Sequence, residues 1–214
     1  MKVYKFGGAS IKDYKSVKRL TRIIRKHNHD EMILIVSAMG KTTNSMEDFV
    51  LSYTKSFKNL KNKLELIKSF HKDIVKDLFQ KNQQSVLKII ESVFNEIDKF
   101  LKLNKENDYN FIYDQLVSYG EILSSVIISE YLNSVGLKSK WVDARSCIKT
   151  DQYYRDANVD FEKTSKSIKR KIKGKGLFIS QGFIGSNKKS FTTTLGREGS
   201  DYSAAIFAHA LNAE

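Results

Sequence analysis

The sequence predicts an α/β layered fold with a mainly parallel central sheet. Two continuous apolar runs, Met32–Ser37 and Leu177–Ser180, have the length and composition of strands buried on both faces. Helical periodicity surrounds and separates them, so strands and helices alternate along the chain. Glycine turns follow the expected strands at Gly7-Gly8 and Gly40, as in strand-to-helix connections of parallel sheets.

The elements follow in order. Residues 2–6 read as a first strand, and Asp13 is placed to cap a helix running to about His27. After the second strand comes the turn Ala38-Met39-Gly40-Lys41. From about Asn44 to Leu103 apolar residues recur at three- and four-residue steps. Leu60, Leu64, Ile67, Ile74 and Leu78, then Leu87, Ile90, Phe94, Ile97 and Leu101, mark buried stripes of antiparallel helices broken near Asn82-Gln83. A further helix is expected from about Tyr109 to Ser134, a short strand over Lys140–Val142 and a helix over Phe161–Ile172. Leu177–Ser180 leads into a loop through Gly185, Phe191–Leu195 is β-like, and Gly199–Leu211 is a last helix. The chain stops at Asn212-Ala213-Glu214, just after that helix, and reads as a piece cut at an element boundary or a chain whose next strand is missing.

With 214 residues, 41% hydrophobic and 29% charged, the chain is long enough for one domain with a full core. No apolar run approaches the roughly 18 residues of a membrane span, and no signal-peptide core precedes the first strand. The single cysteine, Cys147, makes no internal disulfide and reads as a buried small residue; these features point to the cytoplasm. A net charge of +13 raises nucleic acid as a partner. The charge is mostly lysine on helical stretches with Glu and Asp interleaved, and its densest run, Lys163–Lys175, lacks aromatic stacking residues. Neither a nucleic-acid nor a membrane partner is expected; a basic surface also suits small anionic substrates. The four histidines, His27, His29, His71 and His209, read as surface residues, and no His/Cys cluster has metal spacing.

Four segments carry candidate chemistry. Lys5-Phe6-Gly7-Gly8-Ala9-Ser10 ends a strand in two glycines and opens a helix, offering bare N–H groups and a lysine charge to an anion. Gly196-Arg197-Glu198-Gly199-Ser200-Asp201 sets an arginine, suited to bidentate carboxylate binding, before a helix; Ser200 and Asp201 also read as caps. In Ser118-Tyr119-Gly120-Glu121 a glycine interrupts a helical pattern at about 1 kcal/mol relative to alanine. That asks for the close approach of a ligand or another backbone. Glu121 could grip an ammonium group, although alone it reads as an exposed helix glutamate. Ser37-Ala38-Met39-Gly40-Lys41-Thr42-Thr43-Asn44 resembles the end of a phosphate-binding loop but has Ile35 where that motif needs glycine. It remains a hydroxyl-rich turn at the carboxyl end of a strand, where α/β sheets bind ligands. Phosphoryl transfer to a carboxylate needs no general base, only charge neutralisation and alignment. This inventory suits that reaction.

Together these segments resemble the N-terminal part of the aspartate kinases, of the amino-acid kinase fold. Trp141-Val142-Asp143-Ala144-Arg145, Gln181-Gly182-Phe183-Ile184-Gly185 and Thr192-Thr193-Thr194-Leu195-Gly196-Arg197 extend the likeness over the whole chain. The resemblance implies a three-layer sandwich with a mainly parallel central sheet and a helical insertion around residues 45–108. Residues 1–214 would form the aspartate-binding part of a catalytic domain, without the nucleotide-base half or the regulatory ACT domains. It implies phosphorylation of L-aspartate to 4-phospho-L-aspartate by ATP, with Mg²⁺ carried by the nucleotide, as the first step toward lysine, threonine and methionine. Lys5 would contact the transferring phosphoryl group, with Gly7, Gly8 and Ser10 along the phosphates. Ser37 and Thr43 would bind the reacting carboxylate, Glu121 the α-ammonium and Arg197 the α-carboxylate. Phe183 would wall the pocket and Asp201 orient Lys5. Two residues depart from the family pattern: Ala9 replaces a usual threonine, and Glu198 stands where glycine is frequent. The isolated chain is expected to be inactive, with a non-catalytic aspartate-binding module as the alternative. Homo-oligomerisation is left open.

Overall fold

Four parallel strands form the central sheet of the computed structural model, which describes residues 1–27, 30–55 and 59–213. They are β1 (Lys2–Phe6), β2 (Glu31–Val36), β3 (Ser139–Val142) and β4 (Gly176–Gln181), in the order β1-β2-β4-β3. Phe6 pairs with Val36 and Val36 with Gln181, so β1, β2 and β4 end level with one another. The segments leaving those ends, at Gly7, Ser37 and Gly182, therefore meet along one edge.

Alternation along the strands divides two cores. Leu34, Val36, Leu177 and Ile179 face a layer that includes α1 (Tyr14–Lys26), α2 (Thr42–Lys55), α3 (Leu60–Leu78), α4 (Gln83–Leu103), α5 (Tyr109–Val117) and α6 (Tyr119–Ser134). Ile33, Ile35 and Phe178 face α7 (Phe161–Lys171) and α8 (Gly199–Leu211) on the other side. The result is the expected three-layer arrangement. From Met32 to Val36 every residue of β2 is 0–1% exposed, and each such side chain contributes about 1.5–3 kcal/mol of burial. That explains a run with no polar alternation.

Local signals set several boundaries. The Asp13 carboxylate accepts the Ser16 N–H at 2.7 Å and begins α1, a cap worth about 1 kcal/mol. Asn82, at φ 59°, ends the connection before α4, at the expected break. Lys68 and Lys72 of α3 bridge Glu91 of α4, so part of the lysine excess sits in interhelical pairs. The expected helix across residues 56–58, His29 and the final Glu214 lie outside the described residues.

Three expectations need correction. The stretch Tyr109–Ser134 forms two helices with a turn at Ser118, whose hydroxyl donates to the Gln115 carbonyl. The segment through Gly185 is partly strand: β5 (Ile184–Ser186) pairs antiparallel with β6 (Thr192–Thr194). These three-residue strands are fixed by their partner rather than by a local period. His71 is fully buried, on the α3 stripe with Ile67, Ile74 and Leu78. Its Nδ1 donates to the Ile67 carbonyl at 2.7 Å, its Nε2 lies 3.5 Å from Thr42 Oγ1, and burial pushes the imidazole down to about 4. It is a neutral core residue. No helix among the described residues is long and apolar enough to cross a membrane.

Candidate active site

The level strand ends gather helix N-termini as well as loops. A 3₁₀ turn (Gly8–Ile11) follows β1, α2 begins at Thr42 after β2, and α8 begins at Gly199 beside Gly182. The start of α6 packs on the same turn: a β-carbon on Gly120 would lie 3.2 Å from both Ala38 Cβ and Thr42 Cγ2. Close packing of α6 on Ala38 and Thr42 is thus the reason for a glycine inside a helical pattern. N-terminal helix ends carry partial positive charge and unpaired N–H groups, so this edge favours anions.

Lys5, near the end of β1, and Asp201, in the first turn of α8, form an ion pair with Nζ 2.9 Å from Oδ2. Asp201 does not cap α8; the N-cap is Glu198, at φ 56° and exposed to solvent. With the aspartate side chain 62% exposed, such a pair adds at most about 1 kcal/mol of stability. Its consequence is directional: it aims a lysine ammonium along the strand-end edge.

Gly8 is constrained by its neighbours. Its carbonyl accepts the Gly40 N–H at 3.1 Å, and a β-carbon there would sit 2.7 Å from the Ala38 oxygen. The first two strand-exit turns are therefore in backbone contact. Ser10 donates its N–H to the Gly7 carbonyl and is exposed with Ala9. Ser37 is half-buried; its N–H donates to the Phe6 carbonyl, and its own carbonyl accepts the Ser124 hydroxyl at 2.7 Å. Thr43 is half-buried in the first turn of α2.

Glu121 is only 2% exposed, contrary to the exposed position its sequence neighbourhood favours. Its Oε1 accepts the Ala38 N–H at 3.3 Å, and its Oε2 is buried with no hydrogen-bond partner among the described residues. Burial pushes the carboxyl up to about 8. A carboxylate with one oxygen unsatisfied in a dry place lacks a partner that would ionise it, and a cation supplies one.

Phe183 is half-buried at φ 71°, a backbone state that a bulky residue adopts at a cost of about 1–3 kcal/mol. It is held there by its N–H, which donates to the Ser203 hydroxyl at 2.9 Å and the Gly199 carbonyl at 3.3 Å. Its ring lies over Gly199, two residues before Asp201. Arg197 is exposed on the loop between β6 and α8 and makes no ion pair among the described residues. Lys5 and Asp201 are thus brought together, as are Glu121 and the Ser37–Thr43 turn, while Arg197 stands unengaged.

Sequence reasoning missed Asp114, fully buried in α5. Burial raises its carboxyl to about 6, against hydrogen bonds from Arg155 and Thr194 that favour the charged form. Its place between Phe111-Ile112-Tyr113 and Leu116-Val117 was the available signal. Cys147 is buried as expected, and burial pushes its thiol up to about 11. Among the described residues no group of three or more His, Cys, Asp or Glu could hold a metal ion. A 260 Å³ pocket between α2 and α3 is lined by Lys41, Thr42, Ser45 and Phe70 among others, and not by Lys5 or Asp201.

The sequence pattern described as the amino acid kinase family matches residues 1–214. Over 216 aligned positions the chain is 30% identical to lysine-sensitive aspartokinase 3 of Escherichia coli (strain K12), covering 99% of this chain and 46% of that protein. Among solved structures it is similar to E. coli aspartokinase III in complex with lysine and aspartate (T-state), with TM-score 0.87 and 28% identity, covering 100% of this chain and 47% of that one. The structure of that enzyme with aspartate and ADP (R-state) gives a TM-score of 0.83 at 28% identity, with the same coverage. The chain thus spans less than half the length of these relatives.

Proposed function

Because the chain belongs to the amino acid kinase family, we propose that it is the aspartate-binding part of an aspartate kinase. The reaction is transfer of the ATP γ-phosphoryl group to the side-chain carboxylate of L-aspartate, giving 4-phospho-L-aspartate and ADP, as the entry to lysine, threonine and methionine synthesis in the cytoplasm. The observation that carries this reading is the buried Glu121 Oε2, partnerless beside Ala38 at the anion-favouring edge. A zwitterion satisfies both features: its ammonium meets Glu121, and its carboxylates meet N–H groups, hydroxyls and arginine.

The nucleophile is ionised at neutral pH, so the site has no proton to remove from it. Ser37 and Thr43 orient the reacting carboxylate. Arg197 takes the α-carboxylate with paired N–H donors, and Phe183 limits the length of side chain that fits. Lys5, aimed by Asp201, neutralises charge on the transferring group, while Gly7 and Gly8 offer backbone N–H groups and Ser10 its hydroxyl along the phosphates. Mg²⁺ enters with the nucleotide in this reading, and no step here depends on a protein ligand for it.

Titration calorimetry with L-aspartate tests the binding half. Arg197→Ala should weaken affinity by about 10- to 100-fold, the equivalent of one charge-assisted hydrogen-bonded pair. Unchanged affinity would remove Arg197 from the site. The 214-residue chain by itself should show negligible turnover, because remote binding of the adenine normally aligns the γ-phosphate. A coupled ADP-release assay at millimolar substrates measures this; turnover on the order of 1 s⁻¹, ordinary for kinases, would place the nucleotide site within these residues. The second reading, a non-catalytic aspartate-binding module, needs only the Glu121 and Arg197 contacts and no nucleotide. It predicts aspartate binding with no turnover even when the chain is extended.

A further inference from the structure

The loop that presents Arg197 is gripped from the side by a carboxylate that no role above uses. Asp114 receives the Arg155 N–H at both oxygens (3.1 and 3.0 Å), the Thr194 N–H at Oδ2 (2.8 Å) and the Thr194 hydroxyl at Oδ1 (2.7 Å). A buried carboxylate needs such compensation. Here all of it comes from two segments that converge just before Arg197. The Ala157 N–H donates to the Thr194 carbonyl at 3.0 Å, tying those segments to each other as well as to Asp114. Leu195 is held next, its N–H donating to the Phe183 carbonyl at 2.9 Å. Gly196 follows at φ 73°, where the Asp156 carboxylate occupies the place a β-carbon would need. Gly199 then closes back, its N–H donating to the Gly196 carbonyl at 3.1 Å. Arg197 is the first exposed side chain beyond this clamp.

We propose that Asp114 is the positioning residue of the Arg197 grip: by fixing Thr194 and the Arg155–Ala157 segment, it sets the point and direction from which the guanidinium meets a ligand carboxylate. The proposal rests on the assignment of Arg197 to the substrate's α-carboxylate; Asp114 itself touches no substrate. The anchor requires a carboxylate. Only donors face its two oxygens, and an asparagine would turn an NH₂ group against at least one of them. A bidentate arginine contact tolerates little displacement, so a loosened anchor is felt at the ligand.

A double-mutant cycle on L-aspartate affinity, measured by calorimetry on this chain, tests the idea. Asp114→Asn should weaken binding about 10-fold in the otherwise natural chain, equivalent to about 1.4 kcal/mol. In an Arg197→Ala background it should add less than about twofold, because the two act on one contact. Thr194→Val removes one of the bonds, keeps the shape, and should give a smaller loss with the same dependence on Arg197; it supplies the cycle should Asp114→Asn not fold. An equal loss with and without Arg197 would mean general destabilisation and overturn the proposal. If the unaltered chain takes up no aspartate, the functional reading fails separately and amide exchange decides the anchor. Asp114→Asn, or Thr194→Val in its place, should then speed exchange at residues 194–199 while residues 31–36 stay protected. Unchanged exchange at 194–199 would overturn it.

Discussion

Replacing Glu121 with glutamine is expected to weaken L-aspartate binding by about 10- to 100-fold and, above pH 8, to raise the melting temperature. The two effects share one cause. The Glu121 carboxyl is almost fully buried, one of its oxygens has no partner, and burial lifts it from its ordinary 4.5 to about 8. A glutamine keeps an oxygen for the Ala38 N–H but offers no charge to an ammonium group, forfeiting about 1.5–3 kcal/mol of charge-assisted bonding. For stability the sign runs the other way. With the folded value above the unfolded one, the folded state binds more protons between pH 4.5 and 8, so native stability falls as pH rises through that window. Glutamine never ionises and escapes the fall. At pH 8.5 a gain on the order of 2–4 °C for each kcal/mol relieved is expected, shrinking to nothing near pH 4. Binding should also release close to one proton at pH 7, seen by calorimetry in buffers of different ionisation enthalpy. A glutamine variant that binds aspartate normally, or melts lower at pH 8.5, would remove Glu121 from the ammonium site.

Lys5→Met, in a chain extended far enough to turn over, is expected to lower kcat by about 10²–10³ while changing the KM for aspartate far less. Loss of one positioned donor to developing charge has that magnitude. Surface stability does not explain the pair: with Asp201 62% exposed, the ion pair adds little to folding. The variant should therefore melt close to the unaltered chain, which separates a catalytic loss from a structural one. A kcat within threefold of the unaltered enzyme would take Lys5 out of the phosphoryl-transfer step.

Much of the layer structure is legible in the sequence because its signals are local. The apolar run at 32–36 announces a strand buried on both faces, Asp13 announces the start of α1, and the Gly199–Leu211 pattern matches α8 end to end. The break at Ser118 was not legible, since apolar residues continue on both sides and the turn depends on a hydroxyl bonding backward. Strand β5 was hidden for a related reason: three residues have no period, and only the distant β6 makes them a strand. At the site, residue types were readable and burial was not. Glu121 looks like an exposed helix glutamate until α6 is docked on the Ala38 turn. His71 could have been read correctly, because it falls on the same face as Ile67, Ile74 and Leu78. Asp114 escaped because its donors lie 41 and 80 residues away.

The Lys5–Asp201 pair joins residues 196 apart, and that separation has a meaning during synthesis. The lysine leaves the ribosome 196 residues before its partner. At about 5–20 residues per second, the wait is roughly 10–40 s. Strand β2 waits about three-quarters as long for β4, its partner on one side. The helices from α2 to α6 lie between them in sequence and can begin to pack on one another meanwhile. A nascent chain thus carries Lys5 without its Asp201 partner until α8 emerges, and the ion pair closes only after the intervening helices have been made.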